Sequence, residues 1–79
     1  MYLCIAGFLP NNPVDDLIKF ELNVDSRYTD QIVKMLGHSD LNAMSAGEWP
    51  LTKEQASQIS LLIGKDLPLD LKLSIGVET

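Results

Sequence analysis

The sequence predicts an α+β domain with two helices packed on one face of a three-stranded, mainly antiparallel sheet. The prediction rests on an apolar run near the N-terminus, two alternating segments at 17–24 and 69–78, and a helix-start signal at Thr52. The elements follow one another in the order β-β-α-α-β. A chain of 79 residues has the length of one small domain, so residues 1–79 are predicted to be a single unit.

The first two strands are predicted to form a hairpin. The apolar run Tyr2–Leu9 ends at Pro10, and Asn11-Asn12-Pro13 has the composition of a turn. Between residues 17 and 24, apolar and polar side chains alternate, which indicates a strand with one buried face. Cys4 lies inside the first apolar run and is predicted to be a buried structural thiol. A lone cysteine also favours a reducing compartment.

Two helices follow from capping patterns. Asp25-Ser26 supplies side-chain oxygens for a first helical turn, and Gly37 is placed to end that helix. Thr52 and Gln55 have the spacing of a capping box at the start of the second helix, which ends at Gly64. The intervening residues 38–50 are irregular. They are expected to hold short helical turns around residues 41–44 and an apolar plug, Trp49-Pro50-Leu51, over the core.

The last strand is predicted from the alternation that follows Pro68. Its apolar side chains are expected to face the helices, which leaves the other face of the sheet in solvent. The residues expected on that exposed face are Lys19, Glu21, Asn23, Asp70, Lys72 and Ser74.

The sequence offers few residues suited to catalysis or to metal binding. One histidine and one cysteine cannot supply the four ligands of a structural zinc site. His38-Ser39-Asp40 contains three triad residue types, but sequence neighbours rarely face one another, and Ser39 or Asp40 is predicted to cap a turn. No glycine-rich phosphate loop follows a strand. The chain is therefore predicted to be no enzyme and to use no metal or cofactor.

The charge balance predicts the class of partner. Eleven acidic residues against six basic ones give a net charge of −5, which repels nucleic acid and attracts cationic proteins. Acidic charge is also a common means of keeping a small protein soluble. The first apolar stretch is too short to cross a bilayer and has no basic segment before it, so a cytoplasmic protein without membrane contact is expected.

Acidic residues at the borders of the predicted elements are the candidate partner-binding residues. Some acids near helix starts have a local role instead, since they complement the helix dipole. The only tryptophan is a candidate anchor at an interface, although core packing is the alternative reading. The predicted partner-binding residues are Asp15, Asp16, Asp40, Glu48, Trp49 and Asp66.

The layout of residues 15–79 resembles that of known proteins. The strand Ile18–Leu22, a helix, the helix start Pro50–Ala56 and the strand Leu69–Val77 resemble small acidic immunity proteins of bacterial toxin–immunity systems. Such proteins are encoded in contact-dependent growth inhibition and bacteriocin operons. The resemblance implies a cytoplasmic antitoxin that binds one cognate toxin domain, often a nuclease, and covers its active site or substrate surface. It assigns no role to any single residue.

A second hypothesis keeps binding as the function but changes the partner. The chain would then be a small regulatory or adaptor domain, and a homodimer formed through a free sheet edge is one form of it. The first or the last strand is expected to supply that edge.

Overall fold

The two ends of the chain pair with each other in the centre of the sheet. Strand β1 (Tyr2–Phe8) and strand β4 (Lys72–Glu78) are antiparallel over their full length, from the pair Tyr2–Glu78 to the pair Phe8–Lys72. Both segments are rich in apolar residues, as expected for strands with neighbours on both sides. This computed structural model describes residues 1–10 and 17–79.

Two short strands complete the sheet in the described part of the chain. Strand β2 (Phe20–Asn23) pairs with β1, and the two-residue strand β3 (Trp49–Pro50) pairs with β4, both antiparallel. The strand order is β2-β1-β4-β3. The predicted α+β class and antiparallel sheet are confirmed. The predicted three strands are wrong, because the segment predicted to be an apolar plug adds a fourth. The predicted order β-β-α-α-β is wrong as well, since the strands and helices follow one another as β-β-α-α-β-α-β.

Three helices and one 3-10 turn connect the strands. Helix α1 (Thr29–Met35) follows a 3-10 turn at Ser26–Tyr28, helix α2 spans Leu41–Met44, and helix α3 spans Lys53–Ile63. The predicted count of two helices therefore becomes three, although the short helical turn at residues 41–44 was expected.

The predicted caps are present. Asp25 Oδ1 accepts a hydrogen bond from the Arg27 amide at 3.0 Å and starts the 3-10 turn. Thr52 and Gln55 form the reciprocal capping box of α3, with bonds of 3.0 and 3.1 Å. Gly37 and Gly64 end their helices with φ angles of 85° and 69°, a region that glycine enters without strain.

Both alternating strands are shorter than predicted. Pairing of β2 with β1 stops where β1 ends, just before Pro10, so Leu17 and Ile18 lie outside the strand and are exposed. Residues 68–71 form a turn in which the Leu71 amide donates to the Pro68 carbonyl at 3.2 Å, and β4 begins only after it. Because residues 69 and 70 are the two central residues of this turn, they are not extended, and the strand cannot begin at residue 69.

The core lies between one face of the sheet and the helices. Its strand residues alternate along β1 and β4 and are fully or almost fully buried, and they form one cluster with buried residues of all three helices. The central members are Leu3, Ile5, Leu73 and Ile75 from the strands, and Ile32, Val33, Met44, Ala56 and Ile59 from the helices. The helices therefore all pack against the same face.

The edges of the sheet are β2 and β3, which corrects the expectation that the first or last strand would be free. At β3, the Leu51 amide donates to the Leu73 carbonyl of β4 at 2.9 Å. Backbone groups of successive residues point to opposite sides of a strand, so the backbone nitrogen of Pro50 points away from β4, toward the open edge. Proline has no amide hydrogen to offer there, which makes this edge a poor template for another strand.

Candidate functional site

The face of the sheet turned away from the helices is the candidate site. Strand alternation places on it ten residues, which we call the open face: Tyr2, Cys4, Ala6, Phe8, Glu21, Asn23, Lys72, Ser74, Gly76 and Glu78. The expectation of a solvated face is confirmed for Glu21, Asn23 and Lys72, which are exposed. Ser74 was also expected to be exposed, but it is half-buried, and its Oγ is buried.

Small side chains line the middle of the open face. Cys4 lies opposite Gly76, and Ala6 lies opposite Ser74, in two adjacent cross-strand pairs of β1 and β4. Tyr2 and Phe8 stand at the two ends of this row on β1, about 20 Å apart at roughly 3.4 Å per residue. The result is a floor of small residues between two aromatic side chains, in which Ala6 and Gly76 are buried.

Three carboxylates surround this floor. Glu21 lies on β2 diagonally across from Cys4, and Glu78 lies opposite Tyr2 on β4. Glu48 reaches the face from the residue before β3, with its Cγ 3.2 Å from the point that a Cβ atom on Gly76 would occupy. We call Glu21, Glu48 and Glu78 the face carboxylates. Lys72, opposite Phe8, is the basic residue among the strand positions of this face.

The residues around Cys4 raise the pKa of its thiol. Partial burial raises its pKa above the ordinary value of 9.0, and the negative charges of Glu21, Glu78 and Glu48 raise it further. Cys4 is half-buried on the open face, so the prediction of a buried structural thiol is wrong. It is a partly accessible thiol in a negatively charged setting.

One polar atom of the floor lacks a partner. Within the described residues, Ser74 Oγ is buried and makes no hydrogen bond. A buried hydroxyl without a partner lowers stability, because the hydrogen bonds that it makes to water in the unfolded chain are not replaced.

No protein-family model, curated protein or solved structure matches this chain. The candidate site therefore stands on its geometry alone.

The predicted partner-binding residues do not form one group. Asp15 and Asp16 lie outside the described residues. Asp40 caps α2 by accepting a hydrogen bond from the Ala43 amide at 2.8 Å, which agrees with the predicted capping role and gives this carboxylate a local task. Glu48 is one of the face carboxylates. Neither Glu21 nor Glu78 had been singled out as a candidate.

Trp49 packs at the border of the core. Its Nε1 donates to the Met44 carbonyl at 3.0 Å, its ring lies 4.6 Å from that of His38, and its backbone pairs with Ile75. The side chain is half-buried against the core cluster. These contacts fix the short β3 strand against α2, so the geometry favours the core reading of this tryptophan.

Asp66 lies elsewhere on the molecule. Asp66 comes after α3 in the chain, and Trp49 comes before it. The eleven residues of α3 span about 16 Å at 1.5 Å per residue, so the helix separates the two positions. Asp66 borders a shallow groove of about 350 Å³, whose other lining residues are Ser57, Ser60, Leu61, Leu67 and Leu69. Leu61 is 85% exposed and Leu69 is 39% exposed, so this groove is a second, more apolar surface.

Metal-binding clusters and membrane-spanning helices are not found in the described part of the chain. In residues 1–10 and 17–79, no group of three or more histidine, cysteine, aspartate or glutamate side chains is arranged to hold a metal ion. None of the helices described has the length and apolar character needed to span a bilayer.

Proposed function

We propose that this chain is a protein-binding domain of the immunity type, which neutralises a cognate toxin domain by covering a basic, substrate-binding surface. The observation that carries the proposal is the placement of Glu21, Glu48 and Glu78 around one sheet face that carries no helix in the described structure. A negatively charged surface is complementary in sign to the cationic surface that a nuclease uses to hold phosphates.

Electrostatic steering supports the same function. The net charge of −5 acts at long range and accelerates encounter with a positively charged partner. Rapid association suits an inhibitor that must reach its toxin before the toxin reaches its substrate. The action takes place inside the cell in this proposal, since that is where such a toxin would find nucleic acid.

The experiment that tests the proposal starts from the gene next to the one that encodes this chain. The toxin domain encoded there is purified, and its activity is measured with increasing amounts of the protein at several salt concentrations. We expect stoichiometric inhibition and an association rate that falls at least tenfold between 50 mM and 500 mM salt, because screening shortens the range of the attraction. Full toxin activity at a tenfold excess of the protein would refute the proposal.

A pair of triple variants shows whether the face carboxylates or the total charge is responsible. Glu21→Gln/Glu48→Gln/Glu78→Gln neutralises the candidate site, and Asp30→Asn/Glu54→Gln/Asp70→Asn removes the same number of charges elsewhere. We expect the first variant to lose inhibition at least tenfold and the second to lose no more than about threefold, because close charge pairs at interfaces contribute far more than distant ones.

The alternative of a homodimeric regulatory or adaptor domain has less geometric support. The β3 edge presents Pro50, and the β2 edge is four residues long and carries Glu21. A second copy paired at β2 would bring two like charges close together, which disfavours the pairing. The groove beside Asp66, with its exposed leucines, is the feature that would serve an adaptor.

A further inference from the structure

We infer that the outer edge of β2 is a docking site for an extended segment of the partner protein, which pairs with β2 as an added strand and inserts one apolar side chain beside Leu22. The identity of the partner rests on the proposed function, whereas the mode of contact rests on β2 itself. Three features support this mode: outward backbone groups along the edge, a cleft beside it, and the charge of Glu21.

The edge of β2 offers backbone groups at two positions. The Val24 amide donates to the Leu3 carbonyl of β1 at 2.8 Å, so it points toward β1. Because backbone groups of successive residues point to opposite sides of a strand, the amide and carbonyl of Asn23, and those of Glu21 two residues earlier, point away from β1. In the described part of the chain, no strand pairs with β2 on that side. Such an edge is a template for another strand.

A cleft of about 180 Å³ lies beside this edge, on the side of the helices, between β2, the 3-10 turn and the end of α3. Its lining residues are Leu22, Asn23, Asp25, Tyr28, Ile63 and Lys65. Leu22, Tyr28 and Ile63 are half-buried and pack against the core cluster, and Asp25 and Lys65 carry charges that offset each other. A cavity of about 150 Å³ holds a benzene molecule. The cleft therefore has room for one uncharged apolar side chain.

The edge and the cleft fit the same strand. In an antiparallel pair, the partner residues opposite Glu21 and Asn23 exchange backbone hydrogen bonds with them, and the residue between these two lies opposite Leu22. Side chains of directly opposite residues lie on the same face of a sheet. Leu22 packs against the core cluster next to its own partner Ile5, so the residue opposite it points its side chain into the cleft.

The charge of Glu21 selects the occupant. Its side chain is exposed on the open face, where a basic residue directly opposite is favourable and an acidic residue is unfavourable. The net charge of −5 attracts a basic segment from a distance. A partner strand that alternates basic and apolar side chains satisfies both faces of β2. A second copy fits less well, because β2 reads Phe-Glu-Leu-Asn and holds no basic residue.

The test uses the intact protein and a blocked hexapeptide of alternating lysine and valine, so that no toxin is required. Binding is followed by NMR at low salt, through amide shifts and amide hydrogen exchange. We expect saturable shifts centred on Leu22, Asn23 and Tyr28. Exchange of the Glu21 and Asn23 amides should slow at least fivefold, because these amides gain acceptors. Shifts centred on β4 or on the groove beside Asp66, or no shifts at millimolar peptide, would overturn the inference.

Comparison peptides separate the three features. Threonine in place of valine keeps the shape but is polar, and should weaken binding at least threefold. Glutamate in place of lysine should abolish binding. Methyl groups on the lysine backbone nitrogens remove the donors that face β2 and should weaken binding at least tenfold, whereas methyl groups on the valine nitrogens, which point away, should change it less than threefold. Equal losses from the two methylated peptides, or none with threonine, would contradict docking at this edge.

Two protein variants give the reverse test. Glu21→Lys should lower the preference for the lysine peptide over the glutamate peptide at least tenfold. The matched control is Glu54→Lys, which makes the same charge change at the end of α3 remote from the cleft and should lower that preference less than threefold. Equal changes would show a general charge effect and overturn the inference.

Asn23→Pro removes an outward amide at an edge, where proline is tolerated, and Asn23→Ala keeps that amide. We expect only the proline variant to lose peptide affinity, at least threefold. If this variant unfolds, as seen by circular dichroism, the methylated peptides still decide. A dimer of the free protein in light scattering that Asn23→Pro abolishes would assign the edge to a second copy and refute docking of a partner strand.

The outcomes for toxin and peptide separate the two proposals. If the peptide docks at β2 but the adjacent toxin domain is not inhibited, the proposed function fails alone. If the toxin domain is inhibited and exchange of the Glu21 and Asn23 amides is unchanged in the complex, docking at β2 fails alone.

Discussion

Cys4 of β1 lies directly opposite Gly76 of β4, in the centre of a sheet face that no helix in the described structure covers. Because glycine has no side chain, the side chain of Glu48 lies over Gly76, with its Cγ 3.2 Å from the point that a Cβ atom there would occupy. Its negative charge is one of those that raise the pKa of the Cys4 thiol. This relationship makes the thiol a local probe of the charges on the open face.

The first prediction concerns the pH dependence of that thiol. Its pKa is raised in the folded protein, so between pH 9.0 and the higher folded pKa the unfolded chain has lost a proton that the folded chain retains. The free energy of unfolding therefore carries a contribution that is complete below pH 9.0 and is lost as pH rises through this interval. Urea unfolding at pH 8 to 11 measures it, with Cys4→Ser as the control for tyrosine and lysine titration. Parallel curves for the two proteins would contradict the prediction.

The second prediction concerns the unpartnered hydroxyl of Ser74. Ser74→Ala should raise the free energy of unfolding by about 1 kcal/mol, since an unsatisfied buried polar group costs about 1–3 kcal/mol. The matched control is Ser45→Ala, because Ser45 Oγ donates to the Asn42 carbonyl at 2.6 Å on the exposed surface. We expect that control to be neutral or slightly destabilising. Denaturant unfolding followed by circular dichroism decides between these outcomes, and destabilisation by Ser74→Ala would show that the hydroxyl is satisfied.

The third prediction separates the two roles proposed for Trp49. Trp49→Phe removes the bond to the Met44 carbonyl and should lower the free energy of unfolding by about 0.5–1.5 kcal/mol. Inhibition of the adjacent toxin domain should change less than twofold, because the ring packs on the core side of the sheet. The toxin activity assay measures the inhibition, and denaturant unfolding measures the stability. A tenfold loss of inhibition with unchanged stability would place Trp49 in the interface.

The fourth prediction concerns the start of α3. Thr52→Ala removes the hydroxyl that accepts from the Gln55 amide, whereas the bond from the backbone amide of residue 52 to Gln55 Oε1 needs no threonine side chain. It should lower the free energy of unfolding by about 1 kcal/mol, within the range of about 0.5–2 kcal/mol found for such caps. Gln58→Ala, at an exposed position of the same helix, is expected to change stability by less than about 0.5 kcal/mol. Urea midpoints of the two variants and the parent provide the comparison.

The sequence predicts those elements whose signal is local. The capping box at Thr52, the helix end at Gly64 and the cap at Asp25 all depend on residues within a few positions of one another, and all are found in the structure. Strand β3 was missed because two residues are too few to show alternation, and because a proline argues against a strand unless it faces outward at an edge.

The candidate site could not be predicted, because it depends on the strand order. Glu21, Glu48 and Glu78 are separated by 27 and 30 residues along the chain, and nothing local connects them. They meet only because β1 and β4 are neighbours, with β2 on one side and residue 48 on the other. Of these three acids, Glu48 alone was among the predicted partner-binding residues. The same strand order placed Cys4 on the open face rather than in the core.

The pairing of Tyr2 with Glu78 has a consequence for how the protein folds. The two central strands are separated by more than sixty residues, so the entropy of closing that long loop must be overcome before the middle of the sheet can form. During synthesis, β1 has no central neighbour until β4 has left the ribosome, and the remaining elements have no complete sheet on which to assemble. Folding of this domain should accordingly be a late, concerted event, slower than that of a helical bundle of equal length.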